Sequence, residues 1–81
     1  MEYEIPSGMT VTQAVITSVS ISENIPETAL PILYDSIDTD ALEAVFAGRG
    51  RSHISFLYSN SLVEIYNRED LTVEPAGTVS K

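Results

Sequence analysis

Eighty-one residues, with twelve Asp and Glu against four Lys and Arg, give a formal net charge of −8 and a sequence pI near 4.2. This length holds one domain, residues 1–81, and a chain so short buries only roughly 60 to 65 per cent of its unfolded surface, leaving a thin core. The charge repels phosphate backbones and anionic lipid surfaces, while the lack of cysteine excludes disulfides, thiolate zinc sites and thiol nucleophiles, and a lone His53 builds neither a His-based metal site nor a His dyad.

The first residues, Met-Glu-Tyr-Glu-Ile-Pro, are acidic where a secretory leader is basic, and no apolar run approaches the ~18 residues of a membrane span. A cytoplasmic protein is the expectation. Three of the four basic residues are Arg, and Lys81 is the only lysine. Such a composition suits a high-salt cytoplasm, where a Debye length of roughly 3 Å at molar salt screens self-repulsion; an ordinary acidic domain is the alternative. Residues 1–9 and 75–81 are expected to be loosely ordered around a core of about 11–74, although a strand at 3–6 would extend the sheet.

Thr10 and Gln13 stand in the spacing of a capping box ahead of Val11, Ala14, Val15 and Val19, which share a helical stripe and predict a helix over about residues 11–21. Val15, Thr17, Val19 and Ile21 also alternate as a strand does, so helix competes with strand here. Asn24 and Pro26 end the element. Residues 25–37 then read as an irregular connector whose Leu30, Ile32, Leu33, Tyr34 and Ile37 call for burial. Asp38 is a good N-cap with Asp40 in the first turn, and Ala41, Leu42, Val45 and Phe46 form the buried stripe of a second helix, about 39–47, ended by Gly48.

The remainder alternates with period two. Ile54, Phe56 and Tyr58 lie on one face of a strand over 53–58, and Val63 and Ile65 on one face of a strand over 62–66. A two-residue turn at Ser59-Asn60 makes these faces coincide by setting Tyr58 against Ser61, Phe56 against Val63 and Ile54 against Ile65; a slip by one residue would expose the apolar set. Asn60 suits the left-handed backbone of such a turn. Residues 71–74 continue as a third strand ended by Pro75. The predicted fold class is α+β: two helices packed on one face of a three-stranded antiparallel sheet, four-stranded if the N-terminal segment joins, in the order α-α-β-β-β.

Leu30-Pro31-Ile32-Leu33-Tyr34, then Ile37-Asp38-Thr39-Asp40-Ala41-Leu42, then Phe56-Leu57-Tyr58 resemble the LPPLY, IDPDAL and FxY segments of the halobacterial output domain, over roughly residues 11–74. Ile32 replaces the usual second proline, Thr39 the usual proline at the helix start, and Asn60 a common glycine at the turn. The resemblance implies a haloarchaeal signal-output or regulatory unit, found behind receiver or sensor modules and as small stand-alone proteins, with no family catalytic residues to carry over.

Four groups of residues are weighed as candidate sites. Arg49, Arg51 and His53 crowd a glycine-containing loop able to hold a phosphate or a partner's carboxylate; the competing reading is a solvated loop whose arginines pair with the protein's own carboxylates. Asp35, Asp38 and Asp40 lack the glycine and downstream glutamate of a calcium loop and read as structural, and Ser52 and Ser55 near His53 lack the setting of a nucleophile. On the sheet side away from Ile54, Phe56, Val63 and Ile65, the register sets Leu57 opposite Leu62 and His53 opposite Tyr66. An apolar patch of Leu57, Leu62 and Tyr66 there marks a homodimer or docking surface, unless the connector or Tyr3 and Ile5 cover it, and an open sheet edge would accept an added strand. The expected function is a non-enzymatic, cofactor-free signal-output domain that binds a protein partner or a second copy. The alternative is a nucleic-acid-associated regulator contacting phosphates through Arg49 and Arg51.

Overall fold

The computed structural model describes residues 1–47 and 51–76. In chain order they form β1 (Glu2–Glu4), α1 (Val11–Glu23), two single 3₁₀ turns at Glu27–Ala29 and Leu33–Asp35, α2 (Thr39–Val45), β2 (His53–Tyr58), β3 (Ser61–Tyr66) and β4 (Asp70–Pro75). The strands make one antiparallel sheet in the order β1-β4-β3-β2. The fold is α+β, and the optional fourth strand is present. It uses residues 2–4 rather than 3–6, so the N-terminal segment expected to be loose is partly built into the sheet, with Ile5 buried beyond it.

Helix wins over strand at α1 because both ends are locally closed. The Thr10 hydroxyl accepts from Gln13 N–H at 3.1 Å, satisfying one of the N–H groups a helix start leaves free. The Gln13 side chain turns instead to Thr17 and Glu27. At the other end Asn24 adopts a left-handed conformation, φ 58°. Asn24 N–H then donates to Ile21 O and Ile25 N–H to Ser20 O, both at 3.2 Å, the paired closure of a Schellman motif. Val11, Ala14, Val15 and Val19 are fully buried as the stripe required, joined by Ser18, whose hydroxyl donates to Val15 O at 3.1 Å.

Asp38 caps α2 by accepting from Asp40 N–H (3.0 Å) and Ala41 N–H (3.2 Å). The helix is two residues shorter than expected, tightening at Phe46 and Ala47 through bonds to Glu43 O and Ala44 O; Gly48 lies outside the described residues. Only half the predicted stripe is buried: Leu42 and Phe46 face the core, whereas Ala41 is exposed and Val45 is 43% exposed. A helix of seven residues lays down under two turns, so one i, i+4 pair meets the core and the flanking positions turn outward. The connector likewise buries Leu33 fully and Leu30 and Ile37 in part, but leaves Ile32 and Tyr34 at the surface, because each 3₁₀ turn sends successive side chains to different sides.

The core lies between the helices and one sheet face, where Tyr58, Val63, Ile65, Leu71 and Val73 meet Val11, Val15, Val19, Leu33, Leu42 and Phe46. Burying each such aliphatic side chain is worth roughly 1.5–3 kcal/mol. The β2–β3 register is the predicted one: Ile54 pairs with Ile65, Phe56 with Val63 and Tyr58 with Ser61. The turn departs in one detail, since the positive φ falls on Ser59 (58°) and not on Asn60.

A contact between distant residues accounts for that turn. Glu23, at the end of α1, accepts from Ser59 Oγ (2.8 Å), Asn60 N–H (3.1 Å) and Ser61 Oγ (2.6 Å). Burial pushes its carboxyl up, but the three hydrogen bonds from Ser61, Ser59 and Asn60 outweigh it and hold it below the usual carboxylate range. One carboxylate therefore clamps the hairpin to the helix and satisfies Ser61, which is 2% exposed. A second does the same for the start of α1, whose own first turn has no acidic residue. Glu43 of α2 accepts from Thr12 N–H at 2.9 Å; burial pushes its carboxyl up, but the Thr12 hydroxyl, the N–H groups of Thr12 and Val11 and the positive field of Arg68 together hold it low.

Candidate functional site

With the helices on one face, the other face of the sheet carries the side chains that alternate outward. Across β2 and β3 these are His53 opposite Tyr66, Ser55 opposite Glu64 and Leu57 opposite Leu62. Leu57 is 62% exposed, Leu62 half-buried and Tyr66 37% exposed. Neither candidate cover lies over them: Ile5 and Leu33 belong to the core, and Tyr3 packs against it. A large leucine left mostly open beside a second one is an unusual use of a half-wet sheet face, where the alternation ordinarily delivers polar residues.

At the other end of β2 the imidazole of His53 stacks on the Tyr66 ring, with centroids 4.6 Å apart and planes 5° from parallel. Glu64 holds both: its carboxylate lies 3.7 Å from His53 Nε2 and accepts from the Tyr66 hydroxyl at 3.2 Å. Burial, the Glu64 charge and this hydrogen bond all push the Tyr66 phenol up. His53 is thus oriented by its own sheet neighbours, Tyr66 and Glu64. Arg49 lies outside the described residues, and Arg51 is exposed. The third arginine, Arg68, donates to Met9 O at 3.2 Å and braces the start of α1.

Toward β4 and β1 the face turns acidic. Glu74 stands opposite Leu62, Thr72 opposite Glu64 and Asp70 opposite Tyr66, with Glu2 and Glu4 beyond. An open depression of about 540 Å³ there is lined by Glu2, Tyr3, Glu4, Tyr66 and Asp70. The face therefore grades from apolar at Leu57 and Leu62 to anionic at β1. Asp38 is occupied as the cap of α2, and no three His, Asp or Glu side chains gather to hold a metal among the described residues. No helix among them is long and apolar enough to cross a membrane.

Residues 7–75 match the family model of halobacterial output domain 1. The chain belongs to that family. No curated protein and no solved structure shows a significant match. The matched span of this halobacterial output domain takes in both helices and β2 to β4 and stops short of β1, so the outward residues of β2 and β3 all lie inside the family's own unit. Membership is consistent with a signal-output role.

Proposed function

We propose that this output domain acts by binding protein, without catalysing a reaction, in the cytoplasm of a halophilic cell. The face it offers is the outer side of the sheet, centred on Leu57, Leu62 and Tyr66. The observation that carries this reading is the exposure of Leu57, 62% open to solvent beside Leu62 on a sheet face that nothing in the described residues covers. A contiguous apolar patch rimmed by polar groups is the usual mark of an interface. The adjacent carboxylates favour a partner that brings an apolar anchor flanked by basic side chains. Molar salt suits this arrangement, because it weakens long-range charge effects while leaving apolar burial in place.

The test uses the full chain as bait in extract of its host at the host's own salt concentration. Leu57→Glu and Leu62→Glu, each checked for an unchanged circular-dichroism spectrum, are expected to lose the proteins that wild type retains. Arg51→Glu is expected to retain them. If both leucine variants retain the wild-type set, the outer face is not the binding surface.

A further inference from the structure

The two edges of the sheet differ in what they present. On the β1 side, Val73 N–H donates to Met1 O and Ile5 N–H to Glu69 O, both at 2.8 Å. The odd-numbered residues there bond inward to β4, so Glu2 and Glu4 turn their backbone groups to the open edge, flanked by their own carboxylates. That is a short, charged edge of the kind that resists pairing. On the β2 side, Asn67 N–H donates to Ser52 O at 2.8 Å, and the two-residue turn closes on the pair Tyr58 and Ser61. Even-numbered residues therefore bond to β3, and by the alternation of an antiparallel ladder the N–H and C=O groups of His53, Ser55 and Leu57 face outward. No described residue takes them. This edge runs six residues and contains no proline or carboxylate.

Side chains along this edge are also incompletely covered. Leu57 stands open on the outer face, and Ile54 and Phe56 are only partly buried on the inner one. Charge narrows the choice of occupant. The stretch from Ala44 to Val63 contains no Asp or Glu, in a chain of net charge −8. A second copy is repelled by almost every other surface and least repelled here.

We infer that the β2 edge pairs antiparallel with the β2 edge of a second copy, joining two four-stranded sheets into one continuous sheet. A two-fold axis through Ser55 sets Ser55 against Ser55 and His53 against Leu57 of the other copy, twice over. All three outward-facing residues then lie in hydrogen-bonded pairs, giving about six N–H···O bonds across the axis. The same register keeps both faces consistent. Inside, Ile54 meets Phe56 of the second copy. Outside, Leu57 is flanked by its own Leu62 and by the other copy's stacked His53, so the exposed leucine becomes covered. Shifting the axis by one residue keeps the faces but leaves fewer outward residues paired. The inference rests on the binding reading above in that it assigns Leu57 an occupant, but its tests are separate.

The contact is small, so association is reversible, with a dissociation constant on the order of micromolar to millimolar, and it tightens with salt as the like charges are screened. Light scattering and sedimentation of the full chain from micromolar to millimolar concentration should show the mass rise from 8.8 kDa toward twice that value, at lower concentration in molar salt than in 0.1 M. Amide exchange read under the same conditions should slow at least tenfold at His53, Ser55 and Leu57 as the dimer fills. Ser55→Pro removes an outward N–H while taking no hydrogen bond from the β2–β3 ladder, and is expected to stay monomeric with wild-type circular dichroism. A wild-type chain that stays monomeric at millimolar concentration in molar salt overturns the inference. So does a dimer whose exchange at these three amides is unchanged, or a folded Ser55→Pro that still dimerises. Should Ser55→Pro fail to fold, the exchange measurement on wild type decides alone. Retention of host proteins by Leu57→Glu and Leu62→Glu would reject the binding face without touching this result.

Discussion

Replacing Glu23 tests how much of this small fold hangs on one carboxylate. The group accepts three hydrogen bonds, from Ser59 Oγ, Asn60 N–H and Ser61 Oγ, and the three donors fare differently without it. Asn60 is exposed and its N–H passes to water at little cost. Ser61 is 2% exposed, so its hydroxyl would be stranded, worth about 1–3 kcal/mol. Ser59 is half-buried with φ 58°, and an unclamped serine in that conformation adds roughly 1 kcal/mol. Glu23→Ala is therefore expected to cost about 2–4 kcal/mol, and Glu23→Gln, which keeps one acceptor oxygen, about 1 kcal/mol. A chain of this length has about 4–12 kcal/mol in all, so the alanine variant should melt about 8–30 °C lower. The pH dependence has a definite sign. The carboxyl is held below its ordinary value of 4.5, so its contribution is complete above that value and is lost as pH falls through the lower folded value. Denaturant unfolding at molar salt, at pH 7 and again near pH 3, measures both. Variants within about 0.5 kcal/mol of wild type at pH 7, or a difference that stays constant down to pH 3, would refute the clamp.

Two further expectations concern stability. Glu43→Gln removes the charge that α2 places at the start of α1 and should cost about 1 kcal/mol; because that carboxyl is also held low, the loss should fade on acidification, which chemical unfolding at pH 7 and pH 3 will show. Tyr58 donates to Pro31 O at 2.5 Å, and burial followed by the charge of Glu23 pushes its phenol above 10.0. Its stabilisation is present below that ordinary value and is lost as pH rises through the folded one, since the unfolded phenol ionises first. Tyr58→Phe should therefore cost roughly 0.5–1.5 kcal/mol at pH 7 and shrink the alkaline fall in stability, followed by unfolding between pH 9 and 11; an unchanged alkaline limb would contradict this.

Local chemistry made much of this structure readable from the chain. Thr10 and Asp38 are caps whose partners lie two or three residues away, and the hairpin register follows from asking that Phe56 and Val63 share a face. Leu57 and Leu62 could be set on the outer face by the same parity. Pairings between remote residues escaped. Nothing in a glutamate at position 23 announces a hairpin 36 residues on, nor could the spacing place the positive φ on Ser59 once that contact chose it. Val45 and Ala41 looked buried because their stripe was read over a longer helix. β1 was only conditional, since three residues carry too short an alternation to separate strand from coil.

The sheet order carries a consequence for biosynthesis. β2, β3 and β4 zip together through short turns, but β1 joins by closing on β4, with Glu4 beside Asp70. Of the four strands, the first made waits for the last. At translation rates of ~5–20 residues per second that wait is roughly 3 to 13 seconds, during which Tyr3 and Ile5 have no sheet to rest on and stay open to the surfaces of other chains.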